Sequence, residues 1–150
     1  MSLDIRIMTA TDFSACGKTL MTAFKEEPWN ENWTFENANT RIDELMASRM
    51  SRGYVICDGD TIVSMCIGRI MTYLNSKELF IDEFSVHPEY QGQGLGGMLL
   101  EFAKGELQKE GVYGMVLNTE KGYPSVKFYE KNGFKIAESI LMMYSSFKPE

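Results

Sequence analysis

The residues best suited to chemistry lie in one run, Val86-His87-Pro88-Glu89-Tyr90-Gln91-Gly92-Gln93-Gly94-Leu95-Gly96-Gly97. Alternating glycines at 92, 94 and 96 let the backbone come close to a ligand and turn successive N–H groups toward one point. Leu95, Met98, Leu99 and Phe102 begin a helical apolar pattern inside the run. A helix starting there adds free N–H groups and the positive end of its dipole. The chemistry implied is recognition of a phosphate or pyrophosphate by main chain alone. Read literally, Gly92, Gly94 and Gly97 also satisfy the dinucleotide fingerprint G-x-G-x-x-G. That fingerprint places its first glycine straight after a strand, whereas five residues, His87 to Gln91, separate Val86 from Gly92. The full P-loop pattern is absent.

Other chemistries fit poorly. Cys16, Cys57 and Cys66 are odd in number, form no C-x-x-C, and share the chain with one histidine, His87. Neither a disulfide framework nor a metal site is expected, and buried free thiols in a reducing cytoplasm are. The 150 residues carry 15 Lys+Arg and 21 Asp+Glu, a net charge of −6, with no global attraction to nucleic acid. No apolar run reaches the roughly 18 residues of a membrane span. The start, Met1-Ser2-Leu3-Asp4-Ile5-Arg6, lacks the pattern of a secretory signal. The length predicts one domain over residues 1–150.

The elements that must position the glycine run follow from periodicity. Asp4 to Met8 alternates as a first strand. Thr11 or Asp12 caps a helix bearing Phe13, Cys16, Leu20, Met21 and Phe24 on one face, and Thr34 caps a second with Phe35, Ala38, Ile42 and Leu45. Gly53 to Cys57 and Thr61 to Met71 form a hairpin around Asp58-Gly59-Asp60. Glu78 to Val86 is a strand, Leu95 to about Lys109 a helix, and Tyr113 to Asn118 a short strand. Pro124 opens a helix to Lys131, stopped by Asn132-Gly133. Phe134 to Ala137 and Ile140 to Phe147 read as two last strands. The class is α+β: a mixed sheet of about six to seven strands flanked by about four helices.

Val86, Pro88, Gln91, Gly94 and Gly96 spell V-x-P-x-x-Q-x-x-G-x-G, which resembles the acetyl-CoA signature of the GNAT N-acetyltransferase superfamily. Phe128-Tyr129-Glu130-Lys131-Asn132-Gly133-Phe134 resembles that superfamily's downstream F-Y-x-K-x-G-F segment. The intervening helix and strand, and the element order over nearly the whole chain, match as well. The resemblance implies a GNAT-like fold with a splayed parallel strand pair holding the cofactor, and transfer of acetyl from acetyl-CoA to a primary amine.

It also implies roles. Gln91, Gly92, Gln93, Gly94, Leu95, Gly96 and Gly97 would cradle the pyrophosphate. Phe84 and Val86 would offer backbone bonds to the pantetheine arm, whose dehydrated amides need partners. Asn118 would line the opposite side of the opening, or simply end a strand. Ser125 falls on a small position of the family pattern. The asparagine usual three residues earlier is Gly122 here, so no side-chain contact is carried to it. Tyr129 matches the family tyrosine near the thioester sulfur, and a phenol of pKa about 10 stays protonated at neutral pH, able to protonate a leaving thiolate. Asp82 and Glu83 are the candidates to take the amine's proton. Strand alternation turns only one of them to the cleft unless a bulge intervenes, and the resemblance favours Asp82. No metal is implied.

The loop between the first two helices commonly walls the acceptor site in this family. Here it carries Glu26, Glu27 and Glu31 with Trp29 and Trp33. Carboxylates beside aromatic faces suit a cationic small-molecule amine, although both tryptophans could equally pack as core. The acceptor's identity stays open among aminoglycoside, polyamine, amino acid and peptide. The apolar run Ile140-Leu141-Met142-Met143-Tyr144 could join a homodimer. The alternative reading is a non-catalytic acyl-CoA- or nucleotide-binding module, which keeps the glycine turn without the chemistry.

Overall fold

The computed structural model describes residues 2–149. Its first strand, β1 (Leu3–Ile7), leads through a single 3-10 turn (Ala10–Asp12) into α1 (Phe13–Lys25). Asp12 fixes that entry: its carboxylate takes both ends of the Arg6 guanidinium at 2.7 Å and the Thr9 backbone N–H at 2.8 Å. After the loop comes α2 (Phe35–Leu45), capped by Thr34, whose hydroxyl accepts the Asn37 N–H at 3.0 Å. Three antiparallel strands follow, β2 (Ser51–Asp58), β3 (Thr61–Tyr73) and β4 (Ser76–Val86). A second 3-10 turn (Pro88–Tyr90) then leads to α3 (Leu95–Lys109), β5 (Gly114–Leu117) and α4 (Pro124–Lys131). The chain divides into two compact units, Met1–Asn118 and Thr119–Glu150.

The first unit holds a five-stranded mixed sheet in the order β1-β2-β3-β4-β5. All pairings are antiparallel except β4 with β5. Alternation assigns its two faces. Val55, Met65 and Ile67 point to one side and bury against Cys16 and Leu20 of α1 and Ala38 and Ile42 of α2. Tyr54 points to the other, where its ring meets Phe102 of α3 edge-on at 6.2 Å. The three cysteines are buried free thiols, and burial pushes those of Cys16 and Cys66 up to about 12.

The β4–β5 ladder is short. It pairs Glu78 to Ile81 with Gly114 to Leu117 and ends there, while β4 stays paired with β3 as far as Val86. At the same point β4 bulges. Ile67 opposes Glu83 and Gly68 opposes Ile81, so Asp82 is an extra residue. A bulge bends its strand and sharpens the local twist, which accounts for the departure of β4 from β5. Gly68 makes room for it: a Cβ there would lie 2.5 Å from the Phe80 carbonyl oxygen and 2.8 Å from Leu79 Cγ.

The second unit departs from expectation. It contains α4 and no strand among its described residues, so the sheet has five strands rather than six or seven. Phe134 to Ala137 and Ile140 to Phe147 pair with nothing as strands, and Ile140 to Tyr144 are 70–90% exposed. A lone two-stranded ribbon is marginal in water, and this unit has no sheet of its own to supply an edge.

The close approach at Gly68 generates a stability prediction. Gly68→Ala should cost about 1–3 kcal/mol, the scale of overpacking, read as a lower urea midpoint at unchanged slope. An unaltered midpoint would mean the two strands have room to spare.

Candidate active site

Two carboxylates lie together because of the bulge. In a regular strand Asp82 and Glu83 would face opposite sides of the sheet. With Asp82 as the extra residue, Asp82 keeps the side of Phe80 and Arg69, and Glu83 takes that of its partner Ile67. Arg69 and Ile67 are two apart on β3, so these sides are the same, the face covered by α1 and α2.

Each carboxylate meets an arginine. Asp82 receives Arg69 Nε at 2.8 Å and Nη2 at 2.9 Å in a two-pronged pair, and Arg69 also lies over the Phe80 ring at 5.8 Å. Glu83, its side chain 11% exposed, takes a single bond from Arg41 Nε of α2 at 2.7 Å. Burial pushes the Glu83 carboxyl above the ordinary glutamate range. Arg41 pulls against that rise, and Glu31 and Asp82 add to it. A carboxylate whose proton affinity is raised at neutral pH is suited to accept a proton and pass it on. Both acids thus reach one face, and Glu83 is the one with an oxygen left over from its arginine.

Beyond the bulge, Phe84 and Val86 are half-buried and paired with Cys66 and Ser64 of β3. The Val86 carbonyl accepts Gln91 Nε2 at 3.0 Å, folding the start of the glycine turn back onto its strand. Two further ties hold the turn: His87 N–H donates to the Val63 carbonyl at 2.8 Å, and Tyr90 Oη donates to Asp58 Oδ2 at 2.7 Å. Gly92 and Gly94 then adopt left-handed backbone, φ 78° and 77°, with nothing within 4 Å of where a Cβ would stand. Gly94 is the N-cap of α3, so the N–H groups of Leu95, Gly96 and Gly97 open the helix without partners inside it. Gln91 and Gln93 are exposed beside them, and Leu95 and Gly96 are buried. Free main-chain N–H groups at a helix start are suited to an anion. Asn118 follows the last residue of β5 and is exposed.

In the second unit Ser125 sits in the first turn of α4, its hydroxyl 2.8 Å from that of Thr119. Tyr129 is half-buried, with its ring edge-on to Phe128 at 5.2 Å and to Phe134 at 5.3 Å. Gly133, at φ 92°, turns the chain so that Phe134 N–H reaches the Tyr129 carbonyl at 3.0 Å. The F-Y-x-K-x-G-F spacing thus builds an aromatic seat for the tyrosine.

In the loop before α2, Glu26 and Glu27 are exposed, and Trp29 packs edge-on against Phe24 at 5.4 Å. Trp33 packs against the α1–α2 core and donates its indole N–H to Glu31 at 2.8 Å. Both tryptophans therefore have structural work. Among the described residues no group of three or more His, Cys, Asp or Glu side chains is arranged to hold a metal ion, and no helix is long and apolar enough to cross a membrane. The sequence reading missed Arg41, Arg69 and the part of Glu31 in the field at Glu83. An arginine's partner depends on the strand register, and no motif reports it.

Comparison with known proteins bears on the family and the fold. A model of the acetyltransferase (GNAT) family matches residues 18–134. No curated protein matches the chain. Among solved structures, a possible acetyltransferase from Clostridium difficile 630 superposes with a TM-score of 0.81 at 19% identity, covering 99% of this chain and 100% of that one. A transcriptional regulator from Bacillus halodurans C-125 gives 0.76 at 23% identity, covering 96% and 100%. AAC(6')-Iy, in complex with the bisubstrate analog CoA-S-monomethyl-acetylneamine, gives 0.75 at 16% identity, covering 98% and 100%. At these identities the likeness is one of fold, and the family match, which spans most of the chain, establishes that the chain belongs to the GNAT acetyltransferase family.

Proposed function

We propose that this chain is an acetyl-CoA-dependent N-acetyltransferase, its two units serving as one catalytic domain, with a small cationic primary amine as acceptor. The observation that carries the reading is the course of β4. It leaves β5 at Ile81, bears two carboxylates at the point of departure, and runs straight into a left-handed glycine cradle. The open space at the absent Cβ positions of Gly92 and Gly94 fits a pyrophosphate. The complex of AAC(6')-Iy with a CoA analog supports the same use of the fold.

When bound, acetyl-CoA supplies an acetyl group as a thioester. The backbone N–H groups of Gln91 to Gly97 would hold its pyrophosphate, with Phe84, Val86, Asn118 and Ser125 along its course. Glu83 takes a proton from the acceptor's ammonium, because an amine attacks only when neutral. Asp82, engaged at both oxygens by Arg69, holds the bulge instead. Tyr129 would give its phenolic proton to the departing sulfur. Glu26, Glu27 and Glu31 draw in the cation, with Trp29 and Trp33 forming the wall behind them.

Three predictions follow from these roles. Acetyl-CoA at about 100 times its Kd should stabilise the protein by roughly 2.7 kcal/mol, seen as a raised Tm, while NAD and ATP leave Tm unmoved. Gly94→Val should abolish the shift, because its side chain fills the cradle and its left-handed backbone costs about 1–2 kcal/mol. Equal stabilisation by NAD would revive the dinucleotide reading.

Tyr129→Phe and Glu83→Gln should each lower kcat by about 10²-fold or more, measured as thiol release over a panel of amines. Acetyl-CoA affinity should hold in Tyr129→Phe, because the ring still packs between Phe128 and Phe134. Wild-type protein that binds acetyl-CoA but releases no thiol with any amine would point to a binding module.

Replacing Glu26 and Glu27 by Gln should raise the acceptor KM and leave that of acetyl-CoA alone. Salt should weaken acceptor binding, since exposed charges are screened over about 8–10 Å. An anionic or neutral preferred acceptor, or a KM indifferent to both changes, would refute the cationic acceptor.

A further inference from the structure

The segment from Glu31 to Arg41 bears on Glu83 with both signs of charge. Arg41, on α2, places its Nε 2.7 Å from Glu83 Oε1, and its Nη2 lies 3.5 Å from the Asp82 carbonyl. Neighbouring positions on α2, Ala38 and Ile42, are fully buried in the α1–α2 core, so the helix cannot slide without breaking that packing. Glu31 approaches from the loop, held by the Trp33 indole at 2.8 Å. The charged groups facing Glu83 are therefore Arg41 from α2, Glu31 from the loop, and Asp82 beside it in β4. Asp82 is itself neutralised by Arg69 of β3.

From this arrangement we infer that Arg41 is a positioning residue for acetyl transfer: its guanidinium keeps the Glu83 carboxylate ionised and aims its second oxygen at the acceptor's proton, while Glu31 opposes it. The inference rests on Glu83 as the proton acceptor of the proposed reaction. The step is a simple transfer in which an N–H bond of the ammonium breaks and an O–H bond forms at Glu83 Oε2. A carboxylate this buried gains a proton for lack of solvent unless a cation answers its charge. One charge-assisted bond to Oε1 supplies that cation and leaves Oε2 available. Two bonds, as Arg69 makes to Asp82, would occupy both oxygens. The single-bonded geometry at Glu83 is what distinguishes the working acid from its neighbour.

The test is the titration of the Glu83 carboxyl in the free protein, followed by ¹³C NMR and assigned by the signal lost in Glu83→Gln. Arg41→Met keeps the apolar stem and removes the charge. It should move the midpoint up by about 1–3 pH units, the usual effect of an adjacent cation. Arg41→Lys should bring the midpoint most of the way back. Glu31→Gln should move it down, opposite in sign to Arg41→Met, which no general loss of structure can reproduce. The acid limb of kcat/KM, measured on one amine, should follow the same order. A midpoint and limb unmoved in Arg41→Met would overturn the inference, as would shifts of the same sign in Arg41→Met and Glu31→Gln. If Glu83→Gln keeps wild-type kcat, the proton-acceptor assignment fails instead, and the inference fails with it.

Discussion

Two residues of β4, Ile81 and Asp82, stand against one residue of β3, Gly68, and the rest of the site depends on that mismatch. It turns two adjacent acids to one face of the sheet. It bends β4 where the parallel ladder to β5 stops. It also sets the direction in which β4 delivers the chain to the glycine cradle. The mismatch is possible only because position 68 has no side chain, since a Cβ would collide with the Phe80 carbonyl. A glycine fourteen residues before Asp82 and fifteen before Glu83, on a different strand, is thus part of the reason the acids share a face.

The two acids differ in how they are paired, and in the proposed reaction the pairing divides their work. Asp82 is held at both oxygens by Arg69, which lies over the Phe80 ring, so it stiffens the bulge. Glu83 is held at one oxygen and buried, which raises its affinity for a proton. The net charge of −6 is therefore a poor guide to the site itself, where each acid faces a guanidinium. The acidity without an arginine partner lies in the loop before α2, on the exposed Glu26 and Glu27, where the proposal puts the acceptor.

Much of this was legible in the sequence. The cradle could be read because left-handed backbone and a helix start leave a local signature, glycines followed by a 3.6-residue apolar period. The strand and the bulge-dependent alternatives for Asp82 and Glu83 were visible on the same terms, whereas Tyr129 was singled out only by its resemblance to a family motif. How each acid is paired was not legible, because that rests on arginines 13 and 42 positions away, brought near by strand register and by the packing of α2. The two final strands were read from alternation that the second unit does not use. Alternation reports a residue pattern that suits a strand, and pairing requires an edge as well. Trp29 and Trp33 were ambiguous from composition, and contacts with Phe24, Glu31 and the helical core show both to be packed.

The central claim is that the extra residue at position 82 opens the strand pair for the acetyl donor. Deleting Asp82 is its most direct test, because Ile81 would still oppose Gly68 and Glu83 would still oppose Ile67, leaving the register on both sides intact. Calorimetric titration of acetyl-CoA into the deleted chain, with far-UV circular dichroism matching wild type, should show binding lost or weakened by at least about 1.4 kcal/mol, a factor of ten. Wild-type affinity in that folded, bulge-free chain would contradict the account.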